Sequence, residues 1–215
     1  TGRATIVLDY SGGFWMIDDN SVKCFNSNGV QVGFTQNTTG RATIVVNFQG
    51  GFWMIDDNSV KCFAANGTQI GFTQSTTGRA TVIPDNAGGF WMIDDNSVKC
   101  FNSSGVQVGF TQSTTGRAGI VVNPLGGFWM IDDNSVKCFA ANGTQIGFTQ
   151  STTGRATIVL DYSGGFWMID DNSVKCFNSS GVQVGFTQST TGRATIVINP
   201  NGGFWMTDDN SVKCF

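Results

Sequence analysis

Hydrophobic residues along this chain fall in short runs closed by Gly, Asp, Asn or Ser, and none is long enough for a three-turn helix. Over the first 38 residues the runs predict four strands: A from Ala4 to Leu8, B from Phe14 to Ile17, C from Val22 to Phe25 and D from Val30 to Phe34. Asp9-Tyr10-Ser11-Gly12-Gly13 separates A from B. Asp18-Asp19-Asn20-Ser21 separates B from C with side chains that close turns by bonding to the backbone. Asn28-Gly29 is a strong hairpin signal between C and D, and Thr35-Gln36-Asn37-Thr38-Thr39-Gly40 leads to the next strand A. Phe14-Trp15-Met16-Ile17 is apolar on both faces, as in a sheet covered by neighbours on each side.

The pattern then repeats. GGFWMIDDNSVKCF begins at Gly12, Gly50, Gly88, Gly126, Gly164 and Gly202, and only Thr207 departs from it. The period of 38 residues divides the chain into repeats 1–38, 39–76, 77–114, 115–152, 153–190 and a partial 191–215. One such sheet buries too little surface to fold alone, whereas stacked repeats share a core. Hairpin-linked antiparallel strands at this spacing predict an all-β fold, a six-bladed β-propeller of four-stranded blades in a single domain over residues 1–215. A β-solenoid has shorter coils and lacks tight hairpins. The sixth repeat stops at Phe215, so the last blade lacks its outermost strand within this chain. Either about 13 further residues complete it, or the exposed outer edge offers a route to self-association.

Gly13-Phe14-Trp15-Met16-Ile17-Asp18, Asn20, Val22-Lys23-Cys24-Phe25 and Gly29 together resemble the NHL-repeat type of propeller, and the resemblance extends over every copy. The chain differs from that pattern in carrying Arg3-Ala4 where a Pro is usual before strand A, and Ser21 where an Arg is common at the start of strand C. The resemblance implies an interaction platform, with some enzymes among its relatives.

Charge narrows the choice of partner. Twelve Lys and Arg against fifteen acidic residues, all Asp, give a net charge of −3, which disfavours nucleic acid. No apolar run reaches membrane-spanning length, so no membrane partner is expected. Cys24, Cys62, Cys100, Cys138, Cys176 and Cys214 occupy one position of the repeat, so neighbouring copies lie a whole repeat apart, beyond disulfide reach. They read as six buried free thiols, which favour a reducing, cytoplasmic compartment without fixing it. With no His and no second Cys nearby, neither a metal nor a cofactor is expected.

Two sets of residues are candidates for binding. In a meander, the B–C turns and D–A connections share one end of the blades, which would carry Arg3, Arg41, Arg79, Arg117, Arg155 and Arg193 beside Asp19, Asp57, Asp95, Asp133, Asp171 and Asp209. That end repeats without change and suits a repeated glycan or acidic peptide, although turn formation and Arg–Asp pairing account for the same residues. Asp-Asp-Asn-Ser lacks the alternating ligands of a calcium loop. The other end varies at Tyr10, Phe48, Asn86, Pro124, Tyr162 and Pro200 in the A–B turns, contact residues on a constant frame. Trp15 and its equivalents read as core, with sugar stacking as the competing use. No catalytic residue stands out among six identical motifs that lack a nucleophile and a general base. The expected function is a non-enzymatic repeat scaffold or protein-interaction platform, recently amplified or engineered, with a multivalent carbohydrate-binding lectin as the alternative.

Overall fold

Branched and aromatic runs punctuated by Asx and Gly turns give 23 strands and no helix among the described residues. The computed structural model describes residues 4–40, 42–47, 50–78, 80–85, 87–116, 118–123, 126–154, 156–161, 163–192, 194–199 and 203–215. It divides into two compact units, residues 1–117 and 118–215.

The first unit holds three four-stranded antiparallel sheets, each a meander with sequential strands adjacent. They are β1 (Thr5–Leu8), β2 (Phe14–Ile17), β3 (Ser21–Phe25) and β4 (Gln31–Asn37); β5 (Thr43–Val46), β6 (Phe52–Ile55), β7 (Ser59–Phe63) and β8 (Gln69–Ser75); and β9 (Thr81–Pro84), β10 (Phe90–Ile93), β11 (Ser97–Phe101) and β12 (Gln107–Ser113). The second unit holds β13 (Gly119–Val122), β14 (Phe128–Ile131), β15 (Ser135–Phe139) and β16 (Gln145–Ser151); β17 (Thr157–Leu160), β18 (Phe166–Ile169), β19 (Ser173–Phe177) and β20 (Gln183–Ser189); and a three-stranded sheet of β21 (Thr195–Ile198), β22 (Phe204–Thr207) and β23 (Val212–Cys214).

The double-sided apolar strand B is the basis of the packing. Alternate side chains point to opposite faces. From the first sheet Trp15, Ile17, Val22 and Cys24 therefore meet Ile44, Phe52, Met54 and Phe63 of the second. Trp53, Ile55, Val60 and Cys62 repeat the arrangement against Val82, Phe90, Met92 and Phe101. In the second unit Trp129, Ile131, Val136 and Cys138 pack on Ile158, Phe166, Met168 and Phe177. Trp15, Trp53 and Trp129 tilt onto the Phe of the following sheet, with centroids 4.9 Å apart for Trp15–Phe52 and 4.8 Å for Trp53–Phe90 and Trp129–Phe166. Burying one such side chain contributes about 1.5–3 kcal/mol, well above the ~1 kcal/mol ceiling of a surface ion pair, so the aromatic layers dominate stability.

Strand D is longer than its apolar run predicts. It continues through Thr35, Gln36 and Asn37, which pair with Lys23, Val22 and Ser21. A register shift opposite Lys23 and Phe25 accommodates Gly33, at φ +71°, and the polar tail resumes the ladder beyond it.

Two expectations of burial need correction. Cys24, Cys62, Cys100 and Cys138 are buried free thiols, but Cys176 is half-buried and Cys214 is exposed on the outermost strand of a three-stranded sheet. Trp15, Trp53, Trp91 and Trp129 are core residues, whereas Trp205 is 41% exposed. At the other terminus, Ile6 and Leu8 are exposed, although their counterparts Ile44 and Val46 are buried and half-buried.

Candidate functional site

At the constant end the two adjacent carboxylates of each B–C turn have separate roles. Asp18 closes its turn: Oδ1 accepts from the backbone N–H groups of Asn20 (3.1 Å) and Ser21 (2.9 Å) and from the Ser21 hydroxyl (3.0 Å). Lys23, on the following strand, stands 3.6 Å from Oδ2. The Asn20 amide, then the Ser21 hydroxyl, lower the Asp18 pKa against a smaller opposing effect of burial.

Asp56 does more. Its carboxylate is buried and accepts from the Thr39 hydroxyl (2.5 Å), the Thr39 amide (3.2 Å) and the Asp57 amide (2.5 Å). Burial pushes its pKa up, but the Thr39 donors and the Asp57 amide together outweigh that and leave it lowered. The neighbouring Thr38 donates its amide to the Asn20 carbonyl of the preceding sheet at 2.9 Å. Thr38-Thr39 thus joins the turn of one sheet to the carboxylate of the next. The same first Asp of the motif is buried at Asp94, Asp132 and Asp170, with Lys99 3.8 Å from Asp94 and Lys175 3.8 Å from Asp170.

The second Asp of each motif lies outward. Asp19, Asp57, Asp95, Asp171 and Asp209 are exposed and Asp133 is half-buried. The carboxylates of Asp57, Asp95, Asp171 and Asp209 lie close against Gly40, Gly78, Gly154 and Gly192 of the Thr-Thr-Gly loops. Arg3, Arg41, Arg79, Arg117, Arg155 and Arg193, proposed as their partners, lie outside the described residues. A polar recess of about 400 Å³ opens beside the first turn, lined by Asp18, Asp19, Asn20, Ser21, Lys23, Thr35 and Asn37. Asp18 is committed there to its turn and to Lys23. Among the described residues no group of three or more His, Cys, Asp or Glu is placed to hold a metal ion.

At the varied end four A–B turns, those of Asp9, Asn47, Asp85 and Asp161, hang on one side-chain oxygen. Asp9 Oδ1 accepts from the Ser11 amide (2.8 Å), the Ser11 hydroxyl (3.0 Å) and the Gly13 amide (2.7 Å). Asn47 Oδ1 takes the Gly51 amide at 2.8 Å, Asp85 Oδ1 the amides of Ala87 (2.8 Å) and Gly89 (2.6 Å), and Asp161 Oδ1 those of Ser163 and Gly165 (both 2.8 Å). In the C–D turns beside them, Asn26 Oδ1 accepts from the Asn28 and Val30 amides, both at 3.0 Å. Tyr10 projects from this frame, 67% exposed. Phe48, Asn86, Pro124, Tyr162 and Pro200 lie outside the described residues.

The anchoring position was legible in principle. It reads Asp9, Asn47, Asp85, Asn123, Asp161 and Asn199, always an Asx residue between variable neighbours.

The sequence matches no protein-family model. It matches no curated protein either. Solved structures do resemble it. AztD from Citrobacter koseri superposes with a TM-score of 0.56 at 10% identity, over 92% of this chain and 68% of that one. BamB from Moraxella catarrhalis gives 0.52 at 12% identity, over 98% and 84%. The fold is that of a β-propeller. Its blades are the six meander sheets, the last with three strands, and identities this low establish the propeller architecture alone.

Proposed function

We propose that this propeller is a non-enzymatic protein-interaction platform, of the NHL-like kind its repeat resembles and recently amplified or engineered, which binds its ligand through the varied A–B turns. The observation that carries this reading is the Asx anchor. One side-chain oxygen holds the turn backbone in copy after copy, while the residue beside it changes from Tyr10 to Phe48, Asn86, Pro124, Tyr162 and Pro200. A constant frame carrying different tips is how loops diversify recognition on a rigid scaffold. Near-identity of the copies supports recent amplification or construction: repeats one and five differ only at Asn28 against Ser180 and Asn37 against Ser189.

A second reading, a multivalent lectin, draws on the outward Asp19, Asp57, Asp95 and Asp171, which recur at equivalent exposed turns. Screening the 215-residue chain against a displayed peptide library and a glycan array separates the two. The platform reading expects a selected peptide whose affinity falls at least tenfold in the combined Tyr10→Ser, Phe48→Ser, Tyr162→Ser variant and is unchanged in Asp19→Asn. Saturable sugar binding at several equivalent sites would favour the lectin. Turnover abolished by mutating a single Asp would revive an enzyme.

A further inference from the structure

An Asn followed two residues on by a Ser or Thr, with no Pro between, occurs at Asn37, Asn66, Asn102, Asn142 and Asn178. The last four lie in turns between a third and a fourth strand, and there they share one geometry. Oδ1 of Asn66 accepts from the Thr68 amide, that of Asn102 from Ser104, that of Asn142 from Thr144 and that of Asn178 from Ser180, each at 3.0 Å. In every case the donor is the residue that carries the hydroxyl. An Asx turn thus ties each carboxamide to its own hydroxyl residue.

The backbone beneath these side chains is fixed. Gly67 and Gly143 donate their amides to the carbonyls of Ala64 and Ala140, and Gly105 and Gly181 to those of Asn102 and Asn178, all at 2.9 Å. The side chains themselves face solvent: Asn66, Asn102 and Asn142 are exposed and Asn178 is half-buried, and Thr68, Ser104, Thr144 and Ser180 are all exposed. Among the described residues, no hydrogen bond engages Nδ2 of the four Asn or the four hydroxyls.

Two further positions separate the sequence pattern from the geometry. Asn26 forms the same Asx turn, with Oδ1 accepting from the Asn28 amide at 3.0 Å, but Asn28 has no hydroxyl. Asn37 has a hydroxyl two residues on, in Thr39. That hydroxyl is already given to the buried Asp56 at 2.5 Å, and Asn37 is paired with Ser21 at the end of β4.

We propose that Asn66, Asn102, Asn142 and Asn178 are acceptor sites for N-glycosylation of the folded chain, taking a sugar from a glycosyl diphosphate, and that Asn37 is not. In the transfer Nδ2 attacks the anomeric carbon. The C–N bond forms as the anomeric C–O bond to the diphosphate breaks, the diphosphate leaves with the electron pair, and the Nδ2 proton passes to a base of the transferase. The product keeps its Oδ1 carbonyl, so the Asx turn survives the modification. This inference is independent of the platform reading, because it uses neither the A–B turn tips nor their ligand.

The test incubates the folded 215-residue chain with a soluble N-glycosyltransferase and UDP-glucose, and in a second arm with an oligosaccharyltransferase and a polyprenyl-diphosphate oligosaccharide. Peptide mass mapping then follows each site over time. The expected result is transfer at Asn66, Asn102, Asn142 and Asn178 at least tenfold faster than at Asn37, and the arm that reacts identifies the donor as nucleotide-linked or lipid-linked. Asn28→Ser, which reproduces the turn of the fifth repeat, should add Asn26 as an acceptor, and Thr68→Val should remove Asn66 alone. No transfer to the four turns in either arm overturns the proposal. So does transfer to Asn37 at an equal rate, or an Asn26 that stays unmodified in Asn28→Ser.

Discussion

Trp53 and Cys62 stand directly opposite each other on the ladder between β6 and β7, and both are wholly buried. The indole N–H of Trp53 has no full hydrogen-bond partner. The thiol sulfur opposite is a weak acceptor. Burial raises the Cys62 pKa, and the indole offsets part of that rise. The pair is therefore held by packing, with the indole tilted onto Phe90. Replacing Trp53 with Ala should cost about 3–5 kcal/mol by denaturant unfolding, the range for a large core aromatic. Trp205→Ala, at the same motif position but 41% exposed, should cost less than half as much.

Acid should loosen the constant end. The Asp56 pKa is lowered in the folded chain, so its stabilising contribution is fully present above the unfolded value of about 3.9 and is lost as pH falls through the folded value. Chemical denaturation at a series of pH values should show stability declining below about pH 4. Thr39→Val removes the hydroxyl donor to Asp56 and should cost about 1.5–3 kcal/mol at pH 7, with a shallower acid decline.

Two glycines with nearly the same backbone conformation should respond differently to a methyl group. Gly71 has φ +66° and faces the Ser104 carbonyl, whereas Gly185 has φ +70° and no neighbour within 4 Å. Gly185→Ala should cost only the left-handed penalty of about 1–2 kcal/mol. Gly71→Ala must also displace a backbone carbonyl, so its melting temperature should fall further than that of Gly185→Ala.

Thiol chemistry should distinguish six cysteines of identical local sequence. Burial, followed by the charge of Asp85, pushes the Cys100 thiol up to about 11, and burial also raises Cys24, Cys62 and Cys138. Cys214 is exposed. A disulfide reagent at pH 8 should modify one thiol at a rate near that of a free cysteine and Cys100 at least about a hundredfold more slowly, because its thiolate is scarce and covered. The fast phase should vanish in Cys214→Ser.

Much of this fold could be read from strands B and C. Phe14-Trp15-Met16-Ile17 is apolar on both faces, and only a sheet covered on two sides can use that. Strand D was harder, because Thr35-Gln36-Asn37 looks like linker until the bulge at Gly33 restores its register with β3. The adjacent carboxylates of each B–C turn are indistinguishable as residue types, and their division follows from turn geometry that points one inward. The Thr39–Asp56 contact crosses 17 positions and has no local signature. The Asx anchor left a compositional trace, but its purpose depends on where Gly13 and Gly51 place their amides.

In the proposed division of labour, the constant end is architecture and the varied end recognises. Melting temperature and binding of a library-selected peptide, measured side by side on Asp56→Ala and on the combined Tyr10→Ser, Phe48→Ser, Tyr162→Ser variant, test it most directly. Asp56→Ala should lose about 1–3 kcal/mol of stability, by stranding the donors of Thr39, and keep its affinity while folded. The turn variant should melt as the parent does and bind at least tenfold more weakly. The reverse pattern, with affinity lost in Asp56→Ala at unchanged stability and retained in the turn variant, would contradict it.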